Sequence, residues 1–228
     1  MTPPVALLLD LDGTLLDTAP DMGGALNLLR TEHGLEPLPA EAIRPVVSHG
    51  AMRLVRLGFP AAEGDAFESL RLRFLELYAA NLAVGTRLFP GFEAVLDALE
   101  SRGQPWGIVT NKPGWLTAPL LTALDLDRRA ACAVSGDTVS ERKPHPLPLL
   151  HAASLIGVDP AACVYVGDAE RDIQAGRAAG MTTVVAAYGY LGPDEDPLQW
   201  GPHGVVQDPA ELLEWMERAA PSPRRSIA

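Results

Sequence analysis

Two aspartates one residue apart, Asp10 and Asp12, end an apolar run that begins at Val5, and Gly13 and Thr14 follow them directly. A run of Val, Ala and Leu without polar breaks reads as a strand buried on both faces, and such strands belong to parallel sheets that bind ligands just beyond their carboxyl ends. Both carboxylates therefore stand where a ligand binds. Gly13 allows a close turn around it, and Thr14 adds a short hydroxyl. Three more segments offer polar residues suited to a phosphate: Thr110-Asn111-Lys112 at the end of a strand-like run, Lys143 within ERKPHP, and Gly167-Asp168 after VYV, with Asp172 four residues on. Read alone, the first motif also fits a strand followed by an acidic turn. Gathered around a phosphate dianion, four acids repel one another by about 4 kcal/mol per close pair at an effective dielectric near 20, so such a site requires a cation.

The elements that must position these residues fall into two groups. Thr18-Ala19-Pro20-Asp21 has the form of a capping box with proline in the first turn, predicting a helix that carries Met22, Leu26 and Leu29 on one face and ends at Gly34. A short helical piece over 40–47 and another over 51–57 flank Ser48-His49-Gly50. A long helix over 63–83 has Phe67, Leu70, Phe74, Leu77 or Tyr78, and Leu82 at helical spacing. Beyond Phe89-Pro90-Gly91, strand and helix patterns alternate: strands over 106–110, 131–135, 163–167, 182–187 and 204–206, with helices beginning at 92, 115, 146, 172 and 209. The expected fold is α/β, a Rossmann-like parallel sheet flanked by helices, with a helical cap domain inserted after the first strand. Its core comprises 1–19 and 87–220, its cap 20–86 and a loose C-terminal tail 221–228, with hinges near 16–19 and 87–89.

Composition sets outer bounds. With 228 residues, 47% hydrophobic and 21% charged, the chain can bury a sizeable core as an ordinary soluble protein. A net charge of −11 argues against nucleic acid as a partner, since counterion release needs a basic footprint. No apolar run in the opening stretch approaches a membrane span, and MTPP lacks the basic start of a secretory signal, so the expected location is cytoplasmic. Cys132 and Cys163 have neither metal-ligand nor disulfide spacing and read as core residues.

The four polar segments, in this order and with a helical insertion between the first two, resemble the four motifs of the haloacid dehalogenase-like phosphatase superfamily. DLDGT, VGDAERD and the intervening threonine and lysine carry the likeness, which spans nearly the whole chain. The insertion is similar in place to the helical cap of the phosphoglycolate phosphatase branch. The resemblance implies that Asp10 is a nucleophile that becomes an aspartyl-phosphate, and that Asp12 protonates the departing alkoxide and then activates water. It implies Mg²⁺ held by the side chains of Asp10 and Asp168 and by the backbone carbonyl of Asp12. Asp172 is expected to orient a metal-bound water or Lys143, its alternative being a first-turn acid facing the helix dipole. Thr110 and Lys143 are expected to hold the phosphoryl oxygens, joined by backbone N–H groups of Leu11, Asp12 and Asn111. A solvated lysine fits position 143 as well, and for Lys112 a surface role and a functional one stand level. Haloacid dehalogenases proper lack the equivalent of Asp12, so its presence points to phosphate esters.

Substrate choice is expected in the insertion, where Ser48-His49-Gly50 followed by Arg53 resembles the cap segment facing the active site. Arg53 suits a substrate carboxylate and His49 lies beside it; an exposed helix arginine and a solvated loop histidine fit the same positions. VSHGAMRLV, WGIVTNKP and YGYLGPDEDPLQWG are similar to segments of phosphatases that act on N-acetylmuramic acid 6-phosphate, and Tyr188 and Tyr190 are expected to border a bulky sugar. The overall pattern is similar to phosphatases of 2-phosphoglycolate, which stands as a close candidate beside the sugar ester; both esters carry a carboxylate, so Arg53 does not separate them. A β-phosphoglucomutase-like mutase would share the cap type and both aspartates, whereas a non-catalytic binding protein on this fold would lack Asp10, Asp12 or Asp168. The partner expected is a small-molecule phosphate ester, with no nucleic acid or membrane, and the chain a monomer or homodimer.

Overall fold

The computed structural model describes residues 6–219, so Val5 and the tail expected over 221–228 lie outside the described residues. Strand β1 (Ala6–Leu9) has no exposed side chain: Leu7 and Leu9 enter one apolar cluster, Ala6 and Leu8 the other. That alternation is what a strand covered on both faces requires. After the turn through the aspartates come β2 (Leu16–Asp17) and four helices, α1 (Ala19–Glu32), α2 (Ala40–Ile43), α3 (Gly50–Gly58) and α4 (Gly64–Ala80), with a 3₁₀ stretch Arg44–His49 between α2 and α3. The chain returns through β3 (Arg87–Leu88), antiparallel to β2, with Leu16 opposite Leu88 and Asp17 opposite Arg87.

Strand and helix then alternate through α5 (Phe92–Ser101), β4 (Trp106–Val109), α6 (Gly114–Ala123), β5 (Cys132–Val134), α7 (Leu147–Ile156), β6 (Cys163–Gly167), α8 (Glu170–Ala178), β7 (Thr182–Ala186), β8 (Gly204–Val206) and α9 (Glu211–Ala219). The larger sheet has the order β5-β4-β1-β6-β7-β8, parallel throughout. From β1 the chain builds outward through β4 and β5, then crosses to β6 on the other side. The order thus reverses at β1, the place where open α/β sheets bind ligands. The first residues after β1, β4 and β6 are Asp10, Thr110 and Asp168.

Helix α1 packs on α3 and α4. Met22, Leu26, Leu29, Phe67, Phe74 and Tyr78 are buried in the larger cluster, as the helical spacing predicts, whereas Leu82 lies beyond the end of α4. The capping box expected at the head of α1 does not form. Thr18 makes no side-chain cap bond, and the buried Asp21 carboxylate instead accepts the Gly85 and Thr86 N–H groups and the Thr86 hydroxyl at 2.6, 2.9 and 2.7 Å. Three donors from the far end of the insertion outcompete one local turn. Cys132 and Cys163 are unpaired and buried, and burial pushes both thiols up to about 11. Among the described residues no helix is long and apolar enough to cross a membrane.

Candidate active site

Asp10 leaves β1 with its carboxylate fixed on one side: Oδ1 accepts the Leu11 N–H at 2.7 Å and lies 2.8 Å from Lys143 Nζ. Arg171 lies 3.8 Å from Oδ2. Leu11 N–H, expected from the sequence to serve a phosphoryl oxygen, is thus engaged by Asp10 itself. Gly13 follows with φ +85°, and any Cβ there would overlap the Asp168 carboxylate, so both the conformation and the space require glycine. Thr14 is fully buried and its hydroxyl has no partner among the described residues.

Lys143 is the hub of the buried half. Its Nζ lies 2.7 Å from Asp172 Oδ1 and 2.8 Å from Asp10, and bonds the Val109 carbonyl at 2.9 Å and the Tyr165 hydroxyl at 2.7 Å. Asp172 accepts the Ala169 N–H through its other oxygen at 3.1 Å, so it both caps the start of α8 and holds Lys143. The Asn111 backbone N–H is the group expected to face the phosphate; its side-chain amide donates to the Lys143 carbonyl at 2.9 Å and accepts the Lys143 N–H at 3.0 Å. It positions the lysine, and only its backbone remains for a ligand. The Thr110 hydroxyl accepts the Lys112 N–H at 3.2 Å, and the residue borders the cavity.

Asp168 Oδ2 accepts the Ser48 hydroxyl at 2.5 Å and the Tyr190 N–H at 3.0 Å, while its buried Oδ1 has no partner among the described residues. Burial, Asp10 and Asp172 together push this carboxyl up to about 7. Oxygens of Asp10, Asp168 and Asp172 lie within 4.8 Å of one another. A buried oxygen without a donor, among acids whose mutual repulsion is only partly offset, fits a hard divalent cation. Because both Asp172 oxygens are engaged, Asp10 and Asp168 are the carboxylates free to turn toward it. The Asp12 side chain stands apart from this set, with Lys112 Nζ at 3.0 and 3.2 Å from its two oxygens.

Lys112 is buried, and its ammonium also lies 4.5 Å from the centre of the Tyr78 ring on α4. Burial works against its charge, but Asp12 and Tyr78 more than offset this and its pKa is raised. It belongs to the site and not to the surface. Arg171, which the sequence reading passed over, donates to the Ser48 carbonyl at 2.8 Å. Burial opposes its charge too, and Asp172, Asp10 and Asp168 more than restore it. Its only sequence signal is a cation between two motif acids in DAERD.

Asp10, Asp12, Thr110, Lys112 and Arg171 open onto a cavity of about 620 Å³ between the sheet end and the insertion, bordered also by His49, Arg53 and Trp115. Burial, with Arg171 next, holds the His49 imidazole below its usual range. Arg53 is exposed and has no ion-pair partner among the described residues. Tyr188 and Tyr190 do not border the cavity. Tyr188 packs on Phe89 and Phe92 and donates to the Thr14 carbonyl, while the Tyr190 hydroxyl donates to Asp17 at 2.8 Å and accepts the Ala19 N–H. Both rings pack beside β2 and β3, because their hydroxyls find partners there and their faces find aromatic neighbours.

A family model described as haloacid dehalogenase-like hydrolase matches residues 7–186. A phosphoglycolate phosphatase of Xanthomonas campestris pv. campestris is 48% identical over 220 residues, 96% of this chain and 99% of that protein. An N-acetylmuramic acid 6-phosphate phosphatase of Pseudomonas aeruginosa is 40% identical over 215 residues, 94% of this chain and 95% of the relative. The crystal structure of a predicted phosphoglycolate phosphatase from Haemophilus somnus superposes with a TM-score of 0.83 at 29% identity, covering 94% of this chain and 99% of the other.

Proposed function

The chain belongs to the haloacid dehalogenase-like hydrolase family, and from that premise we propose that it is a Mg²⁺-dependent phosphatase of small carboxylated phosphate monoesters. The observation that carries the reading is the state of Asp10: one oxygen fixed by Leu11 N–H and Lys143, the other facing the cavity beside Arg171. A carboxylate held in this way is preoriented for in-line attack on phosphorus. Attack by Oδ2 forms an aspartyl-phosphate and expels the alkoxide. Asp12 delivers a proton to that alkoxide, then takes one from the water that releases phosphate. Lys112 holds the Asp12 carboxylate in place between the two half-reactions.

Asp10 and Asp168 are the side chains that would hold Mg²⁺, with the Asp12 carbonyl as a further oxygen; the ion supplies positive charge against the phosphoryl oxygens. Lys143 and Arg171 add fixed cationic donors, and Thr110 a hydroxyl. Asn111 and Asp172 keep Lys143 aimed. The inserted helices serve as a cap: Ser48 and Tyr78 bring them against Asp168 and Lys112, which excludes water during transfer. Arg53, with His49 beside it, receives the substrate carboxylate. Every residue invoked comes from one chain. We place the protein in the cytoplasm, where two unpaired buried cysteines stay reduced.

The test is phosphate release from 2-phosphoglycolate and N-acetylmuramic acid 6-phosphate, with Mg²⁺ and with EDTA, for the native protein and Asp10→Asn. Turnover with Mg²⁺ that EDTA and the substitution both abolish is expected. Turnover that survives Asp10→Asn would remove the aspartyl-phosphate.

A further inference from the structure

Beyond the aspartates the cavity continues to a rim that no step above uses. Three large apolar side chains stand there in solvent: Met52 on α3, 63% exposed, Leu72 on α4, 50%, and Trp115 on α6, 54%. Exposed apolar residues scattered singly need no explanation, but three from separate elements converging on one opening make a patch. Two belong to the insertion and one to the sheet side, so an occupant would be gripped from both.

Charge on the same rim narrows the occupant. Arg71 is paired with Glu68, and Arg142 donates to the Gly136 carbonyl, whereas Arg53 retains its full valence for a ligand among the described residues. An occupant that satisfies the whole cavity has a phosphate at Asp10, a flat or apolar face against the indole, and an anionic group for Arg53. The size agrees. The insertion already rests on the core through Ser48, Arg171 and Tyr78, so 620 Å³ is the volume of the seated arrangement. That falls within the roughly 300–1,000 Å³ of sites that enclose ligands much larger than a two-carbon ester. A two-carbon ester fills a small part of it and has no face to lay on an indole.

We propose that Trp115, with Met52 and Leu72, is a platform for the C–H face of a sugar ring, and that the substrate class is therefore a hexose phosphate bearing an acidic substituent. A rigid indole loses little freedom on contact and offers a large area, which suits a ring whose hydroxyls stay in water. The inference rests on the phosphatase reading and deepens it.

The test measures kcat/KM for N-acetylmuramic acid 6-phosphate and for 2-phosphoglycolate in the native protein, Trp115→Ala and Trp115→Phe. The native protein is expected to favour the sugar ester, Trp115→Ala to lower the ratio of the two values about tenfold, and Trp115→Phe to stay within about threefold. Because the ratio is internal to each protein, partial misfolding cancels. A native preference for 2-phosphoglycolate, or a ratio unmoved by Trp115→Ala, overturns the platform. Calorimetric titration of the sugar ester into Asp10→Asn, with and without Trp115→Ala, separates this from the chemistry. Binding weakened by Trp115→Ala, with no ester turned over by the native protein, would sink the phosphatase and leave the platform standing; no binding, or binding indifferent to Trp115, would sink the platform.

Discussion

Lys143 has four oxygen partners for three protons, two of them carboxylates with almost no access to water. Its removal strands Asp10 and Asp172 as buried unpaired charges, so Lys143→Met is expected to destabilise the protein by about 3–5 kcal/mol and to end turnover, read by chemical denaturation and phosphate release. Asp168 supplies a pH dependence. Its folded pKa of about 7 exceeds the ordinary 3.8, so between those values the metal-free folded state binds the extra proton and loses stability as pH rises. A cation favours the ionised form, and the gap in Tm between Mg²⁺-loaded and EDTA-treated protein should widen from about pH 5 to about pH 8. A constant or narrowing gap would contradict the assignment of Asp168 to the metal. At this scale the acids were legible because each follows an apolar strand run. Lys112 and Arg171 were not, since a lysine after a strand or an arginine among acids fits a solvated surface equally well until the partner segments, 100 residues from Lys112 to Asp12 and 123 from Arg171 to Ser48, are brought together. The Asn111 side chain went unassigned for the same reason: only the position of Lys143 shows where its bonds go.

The parallel strands were readable from unbroken apolar runs, and the helices from spacing and terminal glycines. What escaped was the pair β2 and β3, since two residues give no period to detect. Asp21 escaped too: its position three residues after Thr18 suggested a local cap, but its donors come from residues 64 and 65 positions onward. Those three bonds tie the first turn of α1 to the segment leading into β3. Asp21→Ala leaves the buried N–H and hydroxyl of Thr86 and the half-buried N–H of Gly85 without their acceptor, for an expected loss of about 2–3 kcal/mol, or about 5–10 °C in Tm. Asp21→Asn, which keeps one acceptor oxygen, should recover part of it. A melt unchanged by Asp21→Ala would mean that water replaces the carboxylate there.

For the whole molecule, the net charge of −11 coexists with a cavity where Lys112, Arg142, Arg171, Arg53 and Arg71 converge, so an anion meets a local field opposite to the global one. The order of motifs along the chain was legible, and the resemblance already turned Ser48-His49-Gly50 toward the site; which atoms make the contact was not, because only the folded chain shows Ser48 touching the core by both its carbonyl and its hydroxyl. Arg171→Met removes the carbonyl bond, and amide exchange over 44–58 is expected to quicken about tenfold while the central strands stay protected. Unchanged exchange would show that the insertion is held without Arg171. The chain leaves the sheet through β2 and comes back through β3 alongside it, with Leu16 facing Leu88 across the pair. Two ends fixed side by side make the ring closed by the insertion almost indifferent to its length, since loop closure grows only slowly with the number of residues enclosed. The stretch between them is in effect a cassette: helices from another relative can be spliced at this doubled strand while Asp10, Thr110 and Asp168 keep their places just beyond β1, β4 and β6 and Lys143 its place in the loop before α7.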